Sequence, residues 1–294
     1  MKAALFLLLL SATAASAADT GCPQFFTEGV PPIIEREQMR LHTAELCYTD
    51  FSVMHSGVTA GPFWSAQRLT ADGIRDAKKI PRVDQFFAEP RLPSEHRAEL
   101  GHYKGSGYDR GHMAPSADMT TERAQAESFT LANMVPQDPD LNRKLWADIE
   151  STTRGLALAY GEVFVVTGPA FSGERLKKIG GRVYVPTATF KAVFVPSQNA
   201  AAAWWADNRG KGRDFEVISI SELERRTFID VFPSVSDDVK KVAANLPKPK
   251  AGSDAAAGKR PDAHKPRKVA EPENSGWGDF ALRVVVDLIG RMIK

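Results

Sequence analysis

The chain alternates between two hydrophobic rhythms and never settles into one. Residues 46–54 and 63–69 are short runs rich in apolar, aromatic and β-branched side chains, which predicts two paired strands joined by a glycine-containing turn at 56–61. Residues 163–167, 182–185, 189–195 and 201–206 read as further strands. A period near 3.6 appears at 120–128, where Glu122, Arg123 and Glu127 would face solvent. It returns at 141–154, where Leu141, Leu145, Trp146 and Ile149 form an apolar side and Asp140 would cap the start. Residues 221–226 read as a short helix, and 228–232 would close the domain. Residues 70–107 are charged and interrupted by Pro81, Pro90 and Pro93, which suits short helices and long loops over a cleft. Strands and helices without a βαβ rhythm predict an α+β fold with a mixed or antiparallel central sheet and flanking helices.

Both ends depart from this pattern. Residues 1–17 have the layout of a secretory signal: Lys2, an apolar run, then Ala15-Ser16-Ala17 as a cleavage site. This predicts export, to the periplasm or the medium. Residues 18–245 then form the expected main domain. At 246–275 aromatics vanish while Pro, Lys, Ala and Gly dominate, the composition of a flexible linker. Residues 276–294 follow, with Asp279, Arg283, Asp287, Arg291 and Lys294 recurring every three to four positions among apolar residues. That is an amphipathic helix over 277–294, roughly 25 Å long at 1.5 Å per residue and too short to span a bilayer. Its apolar face predicts docking onto a membrane surface, a second copy of the chain or the catalytic domain.

Charge adds a constraint. The formal net charge is +2, and loss of the leader removes only Lys2, so the surface lacks the basic excess of a dedicated nucleic-acid binder. Any phosphate-binding surface must be local. Cys22 and Cys47 are the only cysteines. In an exported chain an even pair predicts a disulfide, here tying the N-terminal arm to the first strand.

The chemistry concentrates at Asp-Arg-Gly-His-Met-Ala-Pro, residues 109–115. Asn142 stands thirty positions after His112, and Glu150 eight further on. A neutral His can take a proton from water near pH 7. An Asn carbonyl is a neutral ligand for a hard cation such as Mg²⁺, a Glu can hold the ion's waters, and Arg matches phosphate with a planar fork. Eight residues along a helix put Asn142 and Glu150 about 80° apart on one surface, with Arg154 an i,i+4 neighbour of Glu150. Gly111 permits a close approach beside His112.

The flanks sharpen this set. Tyr-Asp-Arg-Gly-His-Met-Ala-Pro at 108–115, Leu-Ala-Asn-Met-Val-Pro-Gln at 131–137 and Leu-Asn-Arg-Lys-Leu-Trp-Ala-Asp-Ile-Glu at 141–150 closely resemble the DNA/RNA non-specific endonucleases. That ββα-metal family includes endonuclease G and secreted bacterial nucleases. The resemblance implies a ββα-metal finger with His112 as general base and Asn142 as sole protein ligand of Mg²⁺, for which Mn²⁺ would substitute. It implies that Glu150 orients the ion's waters, that Asn133 supports the site and that Arg110 holds phosphate. Arg154 and Arg82 match family arginines as substrate contacts, although the Trp that usually follows the latter is missing. DNA and RNA would be the substrates, cleaved to 5′-phosphates.

Each residue alone has a plainer reading. A single His is usually structural, Asn142 could cap a helix, and Glu150 with Arg154 could be a solvent ion pair. Their order inside matching flanks favours catalysis. Two other readings are a non-catalytic nucleic-acid-binding module on a nuclease fold, and an enzyme of other phosphodiesters. Trp204 and Trp205 could stack bases, but core packing suits an apolar strand better. The other histidines, 42, 55, 96, 102 and 264, lack zinc-ligand spacing.

Overall fold

The computed structural model describes residues 20–209 and 214–254. The leader, most of the linker and the 276–294 segment lie outside them. Seven antiparallel strands form the central sheet, in the order Thr43–Cys47, Ser52–Ser56, Gly61–Thr70, Glu162–Ala170, Ala188–Val195, Ala200–Asp207, Glu216–Ile218. The expected α+β class and antiparallel sheet are both present.

Both faces of the sheet are covered, and period-two alternation decides which residue serves which face. On one face Trp64, Val166, Phe190, Ala203 and Trp205 pack under the helix Ile220–Thr227, through Ile220 and Leu223, and against Phe25 and Phe26. On the other, Leu69, Val163, Val165, Val193 and Trp204 pack under Leu145, Trp146, Ile149 and Leu156. Trp204 and Trp205 are therefore buried on opposite sides, 0% and 5% exposed, so neither is free to stack a base. A sheet buried on both faces explains why its middle strands read as nearly unbroken apolar runs.

The second layer carries the predicted finger. Asp109–His112 pairs antiparallel with Met134–Gln137, and the chain then enters a long helix. That helix differs from expectation in three ways. It continues to Tyr160 and stops at Gly161, whose φ of 88° suits glycine. Its first six residues, Leu141–Trp146, are π-helical, a wider turn with i→i+5 bonds that changes the angle between Asn142 and Glu150. The cap is Asp138 rather than Asp140: its Oδ1 accepts from the Asp140 amide at 2.9 Å, while Asp140 pairs with Lys144.

Two further expectations change. Residues 46–54 are a hairpin rather than one strand, because the chain turns where the Tyr48 amide bonds to the Phe51 carbonyl. Tyr48 and Phe51 stack at 4.4 Å inside that turn. The polar composition beyond 245 is also misleading. Leu246 packs on the core beneath the long helix, and residues 250–254 are hydrogen-bonded to it.

Cys22 and Cys47 form the expected disulfide, with Cα atoms 5.9 Å apart, and it ties the N-terminal arm to the sheet edge. The bond closes a loop of 25 residues, so the Cys22→Ser/Cys47→Ser protein should lose about 3 kcal/mol of unfolding free energy in urea titrations. An unchanged midpoint would show that the arm is held by packing alone.

His55 gives a pH prediction. It is 1% exposed, and its Nε2 donates to the His96 carbonyl at 2.9 Å. Burial pushes its imidazole from 6.5 down to about 4. Between those values the unfolded chain takes up a proton that the folded chain refuses. Stability should therefore be full above pH 6.5 and fall by about 3 kcal/mol as pH drops to 4. A His55→Gln variant should show a shallower fall in urea unfolding between those pH values. Equal slopes would contradict this assignment.

Candidate active site

A cleft of about 590 Å³ opens beside the finger, lined by Arg82, Arg110, His112, Asn142 and Glu150 among others. Three separate segments deliver these groups. Arg82 comes from the loop after the helix Ala71–Ala77, His112 ends the first finger strand, where it faces Met134, and the long helix brings Asn142 and Glu150. Gly111 is required here for a reason internal to the protein. A Cβ on it would lie 2.6 Å from the Cβ of buried Gln137, so the partner strand, not substrate, makes the close approach.

His112 is 9% exposed, and its Nε2 is buried without a hydrogen-bond partner. No backbone carbonyl fixes the ring at that atom. Packing orients the ring instead: Phe129 meets it edge-on at 4.9 Å, and Phe86 lies at 5.9 Å. Burial, with Arg82 adding, pushes the imidazole down to about 3. The ring is neutral across the physiological range and able to accept a proton. Each aromatic neighbour also carries an arginine. Arg110 sits 4.0 Å over Phe86 and Arg82 5.3 Å over Phe129, so rings and cations frame one wall of the cleft. Arg82 is further held by Asp84 and by Ser116 Oγ.

Asn142 is oriented by a residue the sequence reading did not single out. Its Nδ2 donates to Asp109 Oδ2 at 2.9 Å, and Arg143 binds the same carboxylate through two nitrogens. An ionised carboxylate only accepts, so Asp109 must face the amide nitrogen, which leaves the amide oxygen as the end available to a ligand. Burial would raise the Asp109 carboxyl, but the bonds from Arg143 and Asn142 hold it below its ordinary value. The signal was its place in the same seven-residue motif.

Glu150 borders a buried charge network. Burial pushes its carboxyl up to about 7, against the pull of Lys191 and Arg154. Lys191 is 1% exposed and donates to Thr167 Oγ1 at 2.7 Å and to the Met113 carbonyl at 3.3 Å, directly after His112. A lone lysine in the apolar run Thr-Phe-Lys-Ala-Val-Phe-Val was the sequence signal for it. Arg154 is not brought into the cleft. Its Nη1 pairs with Asp118 at 3.1 Å and its Nε with Asp254 at 3.0 Å.

Asn133 is 0% exposed and also stands back from the cleft. Its Oδ1 accepts from Ser65 Oγ and the Ala114 amide, and its Nδ2 donates to the Ala114 and Ser128 carbonyls. It clamps the turn that follows His112 to the central sheet.

The Asn142 amide and the Glu150 carboxylate both line the cleft and offer it oxygens. That set fits a hard divalent cation and not a sulfur- or imidazole-bound metal. Among the described residues, the one His/Cys/Asp/Glu trio close enough to share an ion is Cys22, Glu45 and Cys47, where the sulfurs are joined to each other.

Comparison with known proteins gives the family. The DNA/RNA non-specific endonuclease family model matches residues 34–238. Nuclease 1, mitochondrial, of Schizosaccharomyces pombe is 29% identical over 241 residues, which cover 74% of this chain and 72% of that protein. The mitochondrial nuclease of Saccharomyces cerevisiae is 32% identical, covering 74% and 71%, and a Nostoc nuclease is 40% identical, covering 60% and 69%. A chain in the crystal structure of an EndoG/EndoGI complex superposes with a TM-score of 0.63 at 21% identity, covering 77% of this chain and 97% of that one. That likeness speaks for the fold. The finger is of ββα form, and the chain belongs to the DNA/RNA non-specific endonuclease family.

If Asp109 orients the Asn142 amide, Asp109→Ala should lower nuclease activity by roughly 10–100-fold. Arg143→Ala, which removes the outer partner of Asp109 and leaves the Asn142 bond, should cost much less. Equal losses in steady-state cleavage assays would show that the salt bridge, not the amide, matters.

Proposed function

We propose that this endonuclease is an exported, Mg²⁺-dependent enzyme that cleaves DNA and RNA without regard to the sugar. The observation that carries the reading is the convergence of His112, Asn142, Glu150, Arg82 and Arg110 on one cleft from distant parts of the chain. A binding module would need the arginines but not a buried neutral imidazole between them. Mn²⁺ is the expected substitute ion.

The residues divide the work as follows. Arg82 and Arg110 hold the phosphates on either side of the scissile bond, stiffened by the rings beneath them. Neutral His112 takes a proton from the water whose oxygen bonds to phosphorus as the bond to the 3′ oxygen breaks. A base near pKa 3 has little driving force alone. The incoming phosphate opposes Arg82, the lesser of the two causes of the depression, and so raises the imidazole. Asn142 would hold the cation and Glu150 its waters; the cation would supply Lewis-acid neutralisation of the developing phosphate charge. The leaving 3′ oxygen takes a proton from solvent, and the products carry 5′-phosphate and 3′-hydroxyl ends.

Export rests on the leader at 1–17 together with the disulfide. Protein recovered from the periplasm or medium should begin after Ala17. A chain that retains Met1 in the cytoplasm would contradict this.

The activity is tested with plasmid DNA and an RNA transcript, with Mg²⁺ and with excess EDTA. Cleavage of both with Mg²⁺ and of neither with EDTA is expected. His112→Ala should lose at least about 10²-fold in kcat while still binding DNA. Asn142→Ala should lose activity and need more Mg²⁺ for what remains. Full activity in EDTA, or a folded His112→Ala protein that cleaves at the wild-type rate, would sink the mechanism.

A further inference from the structure

The segment 250–254 has no role in the chemistry just described, yet it is bound to the helix that carries Glu150. The Lys250 amide donates to Thr152 Oγ1 at 3.0 Å, and Ser253 Oγ meets the same hydroxyl at 3.3 Å. Lys78 Nζ donates to the Asp254 carbonyl at 2.7 Å. Gly155 leaves room for this strap, since a Cβ there would approach the Ser253 carbonyl at 3.1 Å. The strap ends by delivering one carboxylate. Asp254 Oδ1 accepts from Ser151 Oγ at 2.9 Å, and its Oδ2 accepts from Arg154 Nε at 3.0 Å.

Arg154 stands four residues after Glu150 on the same helix, a spacing at which Arg and Glu ordinarily pair. The described residues show no ion pair between them. The guanidinium points instead to Asp118 and Asp254, whose side chains are 3% and 20% exposed, and is itself 12% exposed. A guanidinium so enclosed needs acceptors for its donors. Besides its two partners Asp118 and Asp254, the acid that acts on Arg154 is Glu150.

We propose that Asp254 is a positioning residue for Glu150: it holds the Arg154 guanidinium off the Glu150 carboxylate and so leaves that carboxylate free to serve the cleft. The proposal rests on the reading of Glu150 as part of a cation site. It makes the strap, which by composition belongs to a linker, a working part of the enzyme. It also explains why Arg154 matches a family arginine and yet stands away from the cleft: it is the group whose position must be controlled.

The test uses the full chain and compares wild type with Asp254→Asn, Asp254→Glu and Ser253→Ala. The readouts are cleavage against Mg²⁺ concentration, Mn²⁺ binding by electron paramagnetic resonance without DNA, KM for DNA, and Tm. Asp254→Asn should raise the half-saturating Mg²⁺ and weaken Mn²⁺ binding by about tenfold, with KM for DNA unchanged. Asp254→Glu should recover most of both, and Ser253→Ala, which leaves the bonds of Asp254 to Ser151, Arg154 and Lys78 in place, should leave both near wild type. In a Glu150→Gln background, Asp254→Asn should add nothing, since the route through Glu150 is already cut. An undiminished effect in that background, or a Ser253→Ala loss equal to that of Asp254→Asn with a matched fall in Tm, would overturn the proposal. Absence of Mg²⁺-dependent cleavage by wild type would overturn the nuclease reading instead, while the Mn²⁺ comparison would still test the link to Asp254.

Discussion

The placement of the cleft depends on one buried amide. Asn133 has no exposed surface, and both ends of its side chain are hydrogen-bonded, to Ser65, Ser128 and both backbone groups of Ala114. A buried amide left unpaired costs about 1–3 kcal/mol, so this set of bonds holds together or fails together. It fastens the turn after His112 to the Gly61–Thr70 strand at the middle of the sheet. The finger strands Asp109–His112 and Met134–Gln137 are then held at both ends, by the clamp on one side and by the helix that Asp138 caps on the other.

Around that anchor the protein keeps several charges where water is scarce. Lys191 is bound under the His112 turn, Arg154 lies between Asp118 and Asp254, and Glu150 sits between these cations and the cleft. Removing one member of such a set strands the others, which is far more costly than the pairing is worth on a surface. The same enclosure keeps His112 neutral and Glu150 hard to ionise in the absence of a cation. A positive ion between Asn142 and Glu150 would reverse the second effect, so the electrostatics of the cleft and its oxygen donors point to the same class of ligand.

Much of this was legible in the sequence because its signals were local. The motif at 109–115, the Asn-Met-Val-Pro-Gln block and the helix from 141 fixed the finger and its residues. Two cysteines behind a leader-like apolar run were enough to predict the disulfide. The misses share a physical cause. The 46–54 hairpin turns at Thr49 and Asp50 without a glycine or proline to mark it, and the π-helical turn at Asn142 has no compositional signature. Arg154 was placed by its spacing to Glu150, but its partners come from positions 118 and 254, which only the tertiary fold brings near. Residues 250–254 read as linker because hydrogen bonds to Ser151 and Thr152, rather than apolar burial, hold them. Lys191 was the miss with the clearest sequence signal, a lone charge inside an apolar strand.

The claim at the centre is that His112, Asn142 and Glu150 form one cation-dependent phosphodiester site. It is tested most directly by a crystal structure of the His112→Ala protein with Mn²⁺ and a short DNA duplex, read from the anomalous signal of the ion. The account predicts one peak within bonding reach of the Asn142 amide oxygen, about 2.1 Å for an ion of this kind. It also predicts a backbone phosphate on the far side of the peak and Arg82 and Arg110 on the neighbouring phosphates. An ion bound elsewhere, or DNA that lies across another face of the sheet, would contradict it.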